Sequence, residues 1–204
     1  QVTAALVTAG TLVEVTDAAV TIDDTTTIAE LNAIAAKTTG VVTATLAANS
    51  LANLGALTTA GTDVITITVN DADAAELTAA DLSTLGGRTA GTVTVTNAVA
   101  ITGSTAQATA ALVTAGSLVE VSDATVTIND ADGSALNAED LSAIGNKTTG
   151  TVTVTNAVAI SGTTAQVTAA LVTAGTLVEV TDAAVTIDDT TTIAELNAIA
   201  AKTT

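Results

Sequence analysis

The chain has 204 residues, a formal net charge of −17 and 48% hydrophobic residues, yet it contains no Phe, Tyr, Trp, Met, Cys, His or Pro. Abundant Val, Ile and Leu argue against disorder, and the missing Cys excludes disulfides and thiolate metal sites. Thr, Asp or Gly interrupts every apolar run before it reaches the ~20 residues of a membrane helix, so we expect no membrane insertion. Because phosphate binding requires Lys and Arg, the acidic composition also argues against nucleic-acid binding.

The chain begins and ends with the same sequence. Residues 1–39 are identical to residues 166–204, which sets a period of 165 residues. Within this period a glycine recurs after a small polar pair and divides the chain into alternating half-repeats. The half-repeats end near Gly10, Gly40, Gly61, Gly91, Gly116, Gly150 and Gly175. The pattern predicts one continuous repeat array over residues 1–204, which we expect to be an excerpt of a longer chain.

In chain order, each half-repeat shows a strand pattern followed by a helix pattern. Apolar and polar residues alternate in LVEV (12–15), VITITV (64–69) and TVTVT (92–96 and 151–155), and a second short apolar run follows most such segments. This alternation is typical of strands with one buried face. Strands that alternate with helices predict an α/β fold with parallel pairing. We therefore predict an elongated repeat solenoid of alternating short parallel strands and short helices.

The helix starts carry the clearest local signals. Thr27, Thr78 and Asn137 each stand three residues before an acidic residue, and Ser104 and Thr163 each stand three residues before a glutamine. A side-chain acceptor followed three residues later by such a residue is the capping box of a helix N-terminus or a close variant of it. The glycine that closes each half-repeat predicts a left-handed residue at the helix C-terminus.

Acidic residues gather where strands meet helices, and they are candidate Ca²⁺ ligands. The segment DADGSALNAE (130–139) places acids and a serine at EF-hand loop positions 3, 5, 7 and 12, but Ile128 occupies position 1, where a carboxylate is required. The preference of helix N-termini for negative charge explains the same acids, so both interpretations remain open. The candidates are Asp23, Asp24, Asp71, Asp73, Asp130, Asp132, Ser134 and Glu139.

Two rows of side chains are further candidates for ligand binding. All four basic residues occupy one register of the repeat, where a cation row can bind anions or complement a helix dipole. We expect the threonines in TVTVT segments to form regular ranks on stacked strands, as in ice-binding solenoids. Glu14 and Glu120 interrupt such ranks. Threonine is also common at exposed strand positions, which explains these residues without a ligand. The basic residues are Lys37, Arg88, Lys147 and Lys202, and the threonines are Thr92, Thr94, Thr96, Thr151, Thr153 and Thr155.

The composition offers little for catalysis. Histidine and cysteine are missing, no general base stands beside a nucleophile, and every carboxylate has a capping or turn explanation. Aromatic platforms for sugars or bases are missing as well. We therefore predict no enzyme, no small-molecule substrate and no cofactor apart from the Ca²⁺ considered above.

The composition and the repeats of this chain resemble those of known repeat proteins. The chain is biased toward Ala, Thr, Val and Asp, it has no Cys or aromatics, and it contains repeats such as VTVTNAVAITGSTAQATAALVTAG. Over its whole length it resembles the tandem-repeat regions of very large secreted or surface proteins of bacteria, of the adhesin and surface-layer kind. It lacks the GGxGxD nonapeptide of calcium rolls and the LxxLxLxxN pattern of leucine-rich repeats. The resemblance implies an extracellular or cell-surface location and a structural or adhesive role.

Two functional hypotheses follow. The first is a structural fibre, stalk or matrix element that self-associates or continues end to end with further repeats. The alternative is a ligand-binding solenoid module, either a Ca²⁺-dependent adhesin or an ice-binding surface built on the threonine rows.

Overall fold

The computed structural model describes residues 1–8, 13–114, 116, 119–173 and 178–203, and short strands alternate with short helices along them. The strands are β1 (Val20–Thr26), β2 (Val42–Leu46), β3 (Val64–Val69), β4 (Glu76–Thr78), β5 (Val93–Val95), β6 (Ala100–Gly103), β7 (Val119–Val121), β8 (Thr125–Ile128), β9 (Ala135–Asn137), β10 (Val152–Val154), β11 (Val158–Gly162), β12 (Val178–Val180) and β13 (Ala183–Ile187). The helices are α1 (Val2–Leu6), α2 (Ile28–Ala35), α3 (Leu51–Leu54), α4 (Ala79–Gly86), α5 (Thr105–Leu112), α6 (Ala138–Gly145), α7 (Thr164–Val167), which a π-helical turn (Thr168–Val172) continues, and α8 (Ile193–Ala200).

The strands form three parallel sheets. Their orders are β1-β2-β3-β5-β7, β4-β6-β8-β10-β12 and β9-β11-β13. Neighbouring strands come from successive passes of the chain, as when Ile67 of β3 pairs with Val93 of β5. We call each such pass a coil. The prediction of an α/β fold with parallel strands and alternating helices is confirmed.

The sheets are staggered from coil to coil. Strands β5 and β10 share the sequence VTV, and β7 and β12 share VEV, yet β5 and β7 lie in the first sheet whereas β10 and β12 lie in the second. The half-repeat 117–150 contains three strands, whereas the half-repeat 92–116 contains two. Its second strand, β8, extends the sheet of β4 and β6 and also pairs with β10. This extra strand moves the following coils into the next sheet.

One apolar core connects all the coils. In β3, Ile65, Ile67 and Val69 are completely buried, while Val64 before them and Thr66 between them are exposed, as the alternation predicts. The helices contribute leucine and alanine to this core, and Leu82 and Ala79 of α4 are equally buried. Because alanine is small, short helices approach the Val- and Ile-rich sheets closely without aromatic residues to fill gaps.

The predicted helix starts are present, with two differences in detail. Thr27 of α2, Ser104 of α5 and Thr163 of α7 form reciprocal capping boxes with the Glu or Gln three residues later. The Thr78 hydroxyl accepts a hydrogen bond from the Asp81 amide. The Asp81 carboxylate, however, accepts from the Thr78 hydroxyl and not from the Thr78 backbone amide, so the capping box is incomplete. Asn137 accepts from the amide two residues on, not three.

The prediction of left-handed glycines at the half-repeat ends is wrong for the described ones. Within the described ranges, the only glycine with a positive φ is Gly133, in a loop between strands. Gly40, Gly91 and Gly150 instead lie so close to the backbone of the preceding coil that a Cβ atom would overlap a carbonyl oxygen there. At these positions glycine is required by close approach between coils. Gly10 and Gly175 lie outside the described residues.

Candidate cation sites and threonine rows

Three aspartates at strand ends cap helices of the preceding coil. The Asp130 carboxylate accepts hydrogen bonds from the backbone amide of Thr105, at 2.7 Å, and from its hydroxyl, at 2.8 Å, at the start of α5. Asp189 binds Thr164 of α7 in the same way, at 2.7 Å for both bonds. Asp71 accepts from the amide of Leu51, the first residue of α3, at 2.7 Å. These carboxylates satisfy amides that a helix start leaves free, but in the neighbouring coil.

The segments Asp71–Asp73 and Asp130–Asp132 also form hydrogen bonds with the coil that follows them. Asp73 accepts a hydrogen bond from the Ala98 amide, and Asp132 accepts one from the Ala157 amide, both at 3.2 Å. The side-chain amide of Asn156 donates to the backbone carbonyl of Asp130 at 2.6 Å. Each Asp-x-Asp segment therefore bridges two neighbouring coils.

The remaining Ca²⁺ candidates are dispersed. The Ser134 amide closes a turn on the Ala131 carbonyl, and the Glu139 carboxylate accepts from the side chain of Gln166 at 2.9 Å. Ile128, at the first EF-hand position, is completely buried in the core. Asp23 and Asp24 lie exposed within β1. Within the described ranges, no group of three or more acidic side chains is placed to hold a metal ion.

The turn after each Asp-x-Asp segment contains a residue with a positive φ, so substitutions there measure the cost of the left-handed conformation. Ala74 has a φ of 59°, and Gly133 occupies the equivalent turn with a φ of 76°. The left-handed region costs a residue with a Cβ about 1–2 kcal/mol. We expect Ala74→Gly to raise the free energy of unfolding by about 1 kcal/mol, and Gly133→Ala to lower it by a similar amount. Denaturant unfolding followed by circular dichroism measures both, and shifts of the same sign would contradict the assignment.

The two TVTVT segments do not form one threonine rank, because β5 lies in the first sheet and β10 in the second. A threonine rank forms within the second sheet instead. Thr78, Thr102, Thr127 and Thr153 pair in sequence across β4, β6, β8 and β10, and Glu179 of β12 ends the rank. In the first sheet Thr94 pairs with Glu120, as the sequence predicts. The hydroxyls of Thr96 and Thr155 donate to carbonyl oxygens of the preceding coil, at 3.3 and 3.1 Å.

The four basic residues follow the helices. The backbone amides of Lys37, Arg88, Lys147 and Lys202 each donate to the carbonyl three residues earlier, so each residue continues the last helical turn. All four side chains are exposed. This position fits the dipole interpretation, in which a cation near a helix C-terminus is stabilising.

Sequence reasoning missed the buried contacts that join the coils. Three Thr-x-Gly segments form what we call threonine–glycine locks, centred on Thr38, Thr89 and Thr148. In each lock the threonine hydroxyl donates to a backbone carbonyl of the preceding coil and accepts from the glycine amide two residues later. The repeated Thr-x-Gly spacing is a signal in the sequence, but it does not identify the partner coil.

Asp63 is the second missed contact. Its side chain is only 4% exposed, and its two carboxylate oxygens accept from the amides of Val42, at 2.8 Å, and Ala60, at 2.9 Å. The first of these bonds joins it to β2 of the preceding coil. Burial of this charge is tolerated because both oxygens are hydrogen-bonded.

Hydrogen bonds lower the pKa of two carboxyls near the end of the chain. The pKa of Glu195 falls below its ordinary value chiefly because the Thr192 hydroxyl, and then the Thr192 amide, donate to it. Donation from the amide and hydroxyl of Thr164 lowers the pKa of Asp189 in the same direction. A carboxyl with a lowered pKa stabilises the fold above its unfolded-state pKa, and this contribution is lost as pH falls through the folded-state pKa.

We therefore expect the stability difference between the parent chain and Glu195→Gln to depend on pH. It should be largest above the ordinary glutamate pKa of 4.5 and disappear at lower pH, where a protonated Glu195 resembles glutamine. Urea unfolding at several pH values between 3 and 7 measures it, with Glu179→Gln, exposed on β12, as the control for charge alone. A difference that stays constant across this range would contradict the assignment.

A groove of about 470 Å³ lies between α3 and α4. Helix α3 has four residues, whereas α4 has eight. Buried leucines, Leu54 and Leu85 among them, line it together with the exposed side chains of Asp81 and Arg88. Each leucine that lines the groove is at most 6% exposed, so the groove offers little apolar surface to a ligand.

These observations define an α/β protein of parallel sheets whose neighbouring coils are joined by buried threonine and aspartate contacts. The chain matches no family model, no curated protein and no solved structure. None of the described helices combines the length and the apolar character needed to span a bilayer.

Proposed function

We propose that the chain is part of an elongated solenoid that serves as a fibre, stalk or matrix element outside the cell. The observation that carries this proposal is the continuity of pairing, since parallel strands join successive coils, and threonine–glycine locks and aspartate caps add contacts at several of these junctions. A coil of one to three short strands and one short helix cannot bury its own apolar faces, so it depends on its neighbours. Such an array grows along one axis.

Composition supports an extracellular structural role. A net charge of −17 keeps separate arrays apart unless salt or divalent cations screen the repulsion. The resemblance to bacterial adhesin and surface-layer repeats points to the same location. The proposal includes self-association or end-to-end continuation, and it includes neither catalysis nor nucleic-acid binding.

Particle shape tests the proposal. We compare the chain with a longer one in which residues 40–204 are repeated once more at the end. Small-angle X-ray scattering and electron microscopy should show a particle that lengthens by roughly 5 Å per added coil, the spacing of parallel strands, at constant cross-section. A particle that grows equally in all directions would refute the solenoid.

A Ca²⁺-dependent adhesin is the second candidate. The equivalent turns at Asp71–Asp73 and Asp130–Asp132 carry two aspartates each, and both turns join neighbouring coils. Calcium binding there would stiffen the array. Calorimetric titration and thermal unfolding with and without Ca²⁺ test it, and the absence of both binding heat and stabilisation would remove this candidate.

Ice binding is the alternative that the threonine rank supports. Thr78, Thr102, Thr127 and Thr153 present four hydroxyl-bearing side chains in register on neighbouring strands. Thermal hysteresis of a concentrated solution measures this activity, with Thr127→Leu as the variant that interrupts the rank. Absence of hysteresis in the parent chain would remove it.

A further inference from the structure

Threonine and valine side chains cover the outer face of the first sheet on β2, β3 and β5. Along β3, Ile65 and Ile67 face the core, whereas Val64 and Thr66 are exposed on the other side of the sheet. The pairing of β3 with β2 and with β5 aligns such outward side chains into rows. The aligned pairs are Thr43 with Val64, Thr45 with Thr66, and Thr68 with Thr94. We call these six residues the outer threonine face.

The outer threonine face carries no charge, although the chain has 21 acidic and only 4 basic residues. The strands on either side of the face do carry acids, with Asp23 and Asp24 in β1 and Glu120 in β7. The second sheet also exposes acids, Glu76 of β4 and Glu179 of β12. Because a net charge of −17 repels copies of the chain from one another, two copies approach at lower electrostatic cost through a neutral face.

Further coils would leave this face uncovered. Strands are added to a sheet along the direction of its hydrogen bonds, about 5 Å apart, whereas the outer threonine face points out of the plane of the sheet. The helices pack in the core on the opposite side, together with the inward residues of β3. The exposure of the face therefore does not depend on the length of the array.

The chemistry of the face suits contact with itself. In a two-fold symmetric contact the same surface must be complementary to itself. A patch of acids cannot meet this condition, whereas a threonine hydroxyl both donates and accepts hydrogen bonds, so the threonines of two copies can satisfy one another. Val64 and Val41, which directly precedes β2, are each 41% exposed and add apolar surface that the contact removes from water.

We propose that the outer threonine face binds the same face of a second copy of this chain, so that arrays associate side by side. This inference rests on the proposed extracellular array and identifies the lateral contact of a matrix or a bundled fibre. The face is three strands wide and about five residues long, roughly 15 Å by 17 Å. Because this is small compared with the ~800 Å² that each partner contributes to a stable interface, a single contact is weak. We expect dimers at concentrations on the order of 1 mM.

Two aspartate substitutions separate this contact from general charge repulsion. Thr66→Asp places a carboxylate at the centre of the face and should weaken association at least about tenfold, because the charge is buried in the contact. Thr125→Asp is the matched control, since Thr125 occupies the equivalent repeat position but is exposed on β8 in the second sheet. Both variants have the same net charge, and the control should associate like the parent chain.

Sedimentation equilibrium up to millimolar concentration measures association, with circular dichroism to confirm folding. Salt should strengthen association of the parent chain, because it screens the acids of β1 and β7 that flank the face. Equal weakening by both substitutions, or no weakening by Thr66→Asp, would overturn the inference. A parent chain that stays monomeric at high salt would overturn it as well. If Thr66→Asp abolished thermal hysteresis in a parent chain that does not associate, the face would bind ice instead.

A spin label tests where the two copies touch. The chain contains no cysteine, so Thr62→Cys places a single nitroxide at an exposed position beside the start of β3, at the rim of the face. Mixed with isotope-labelled parent chain, it should broaden the amide NMR signals of β2, β3 and β5 in that second copy. Broadening centred on the helices or on the other sheets would overturn the lateral contact. It would leave the solenoid intact, since particle length tests that separately.

Discussion

Thr89→Val is expected to lower the free energy of unfolding by about 3 kcal/mol, because it leaves two amides without an acceptor. The Thr89 side chain is only 4% exposed. Its hydroxyl oxygen accepts from the amides of Ile65, at 2.7 Å, and Gly91, at 2.8 Å. Its single hydrogen is shared between the carbonyls of Asp63 and Ile65, whose oxygens lie 3.0 and 2.9 Å from the hydroxyl oxygen. Valine has the same shape as threonine, so the packing is preserved and the loss reports the hydrogen bonds.

Thr92→Val is the matched control. Thr92 is exposed three residues further on, and its substitution should change stability by less than about 0.5 kcal/mol. Thr148→Val, in the equivalent lock, should lower stability by a smaller amount, about 1–2 kcal/mol, because its hydroxyl binds the Ala124 carbonyl and accepts from one amide, that of Gly150. Guanidinium unfolding measures all three variants. If Thr89→Val were as stable as Thr92→Val, the lock would not hold the coils together.

Gly91→Ala is expected to cost about 3 kcal/mol, for a steric reason. A Cβ atom at this position would overlap the carbonyl oxygen of Ile65 and lie 2.7 Å from its carbonyl carbon and 2.9 Å from its nitrogen. These are backbone atoms of the preceding coil, so no side chain can move aside. The coils must separate locally, which disturbs the pairing of β3 with β5 that begins at Val93.

Gly87→Ala is the control for this substitution. Gly87 ends α4 with helical φ and ψ of −68° and −7°, and its nearest contact to an added Cβ is 3.5 Å. Alanine there should be neutral or stabilising by up to about 1 kcal/mol, because it restricts the unfolded chain. Thermal and denaturant unfolding of the two variants measures the contrast. Equal losses at both positions would show that close approach is not the reason for glycine at residue 91.

Several local features follow directly from short stretches of sequence. The capping boxes at Thr27, Ser104 and Thr163 need only residues within one helical turn, so the sequence predicts them correctly. Alternation within VITITV likewise predicts which residues of β3 face the core. These signals are local, and tertiary contacts reinforce them.

The acidic candidates show where local reasoning ends. Helix-start acids were expected to act within their own coil, but Asp130 and Asp189 cap helices in the coil before. The partner lies 25 residues earlier in both cases. No short sequence motif indicates this separation along the chain, because it depends on how many residues each coil uses to return to the sheet.

The amino-acid sequence by itself determined the repeat, the α/β class, the helix starts and the inward face of each strand, because these depend on neighbours within a few residues. Only the tertiary structure decided that the half-repeat glycines serve close approach instead of a left-handed turn, and that β8 shifts the later coils into a new sheet. It also decided that Asp130 and Asp189 cap helices of the preceding coil. The physical reason is that burial and pairing belong to contacts between coils, and the same residues acquire different surroundings according to which coil lies beside them.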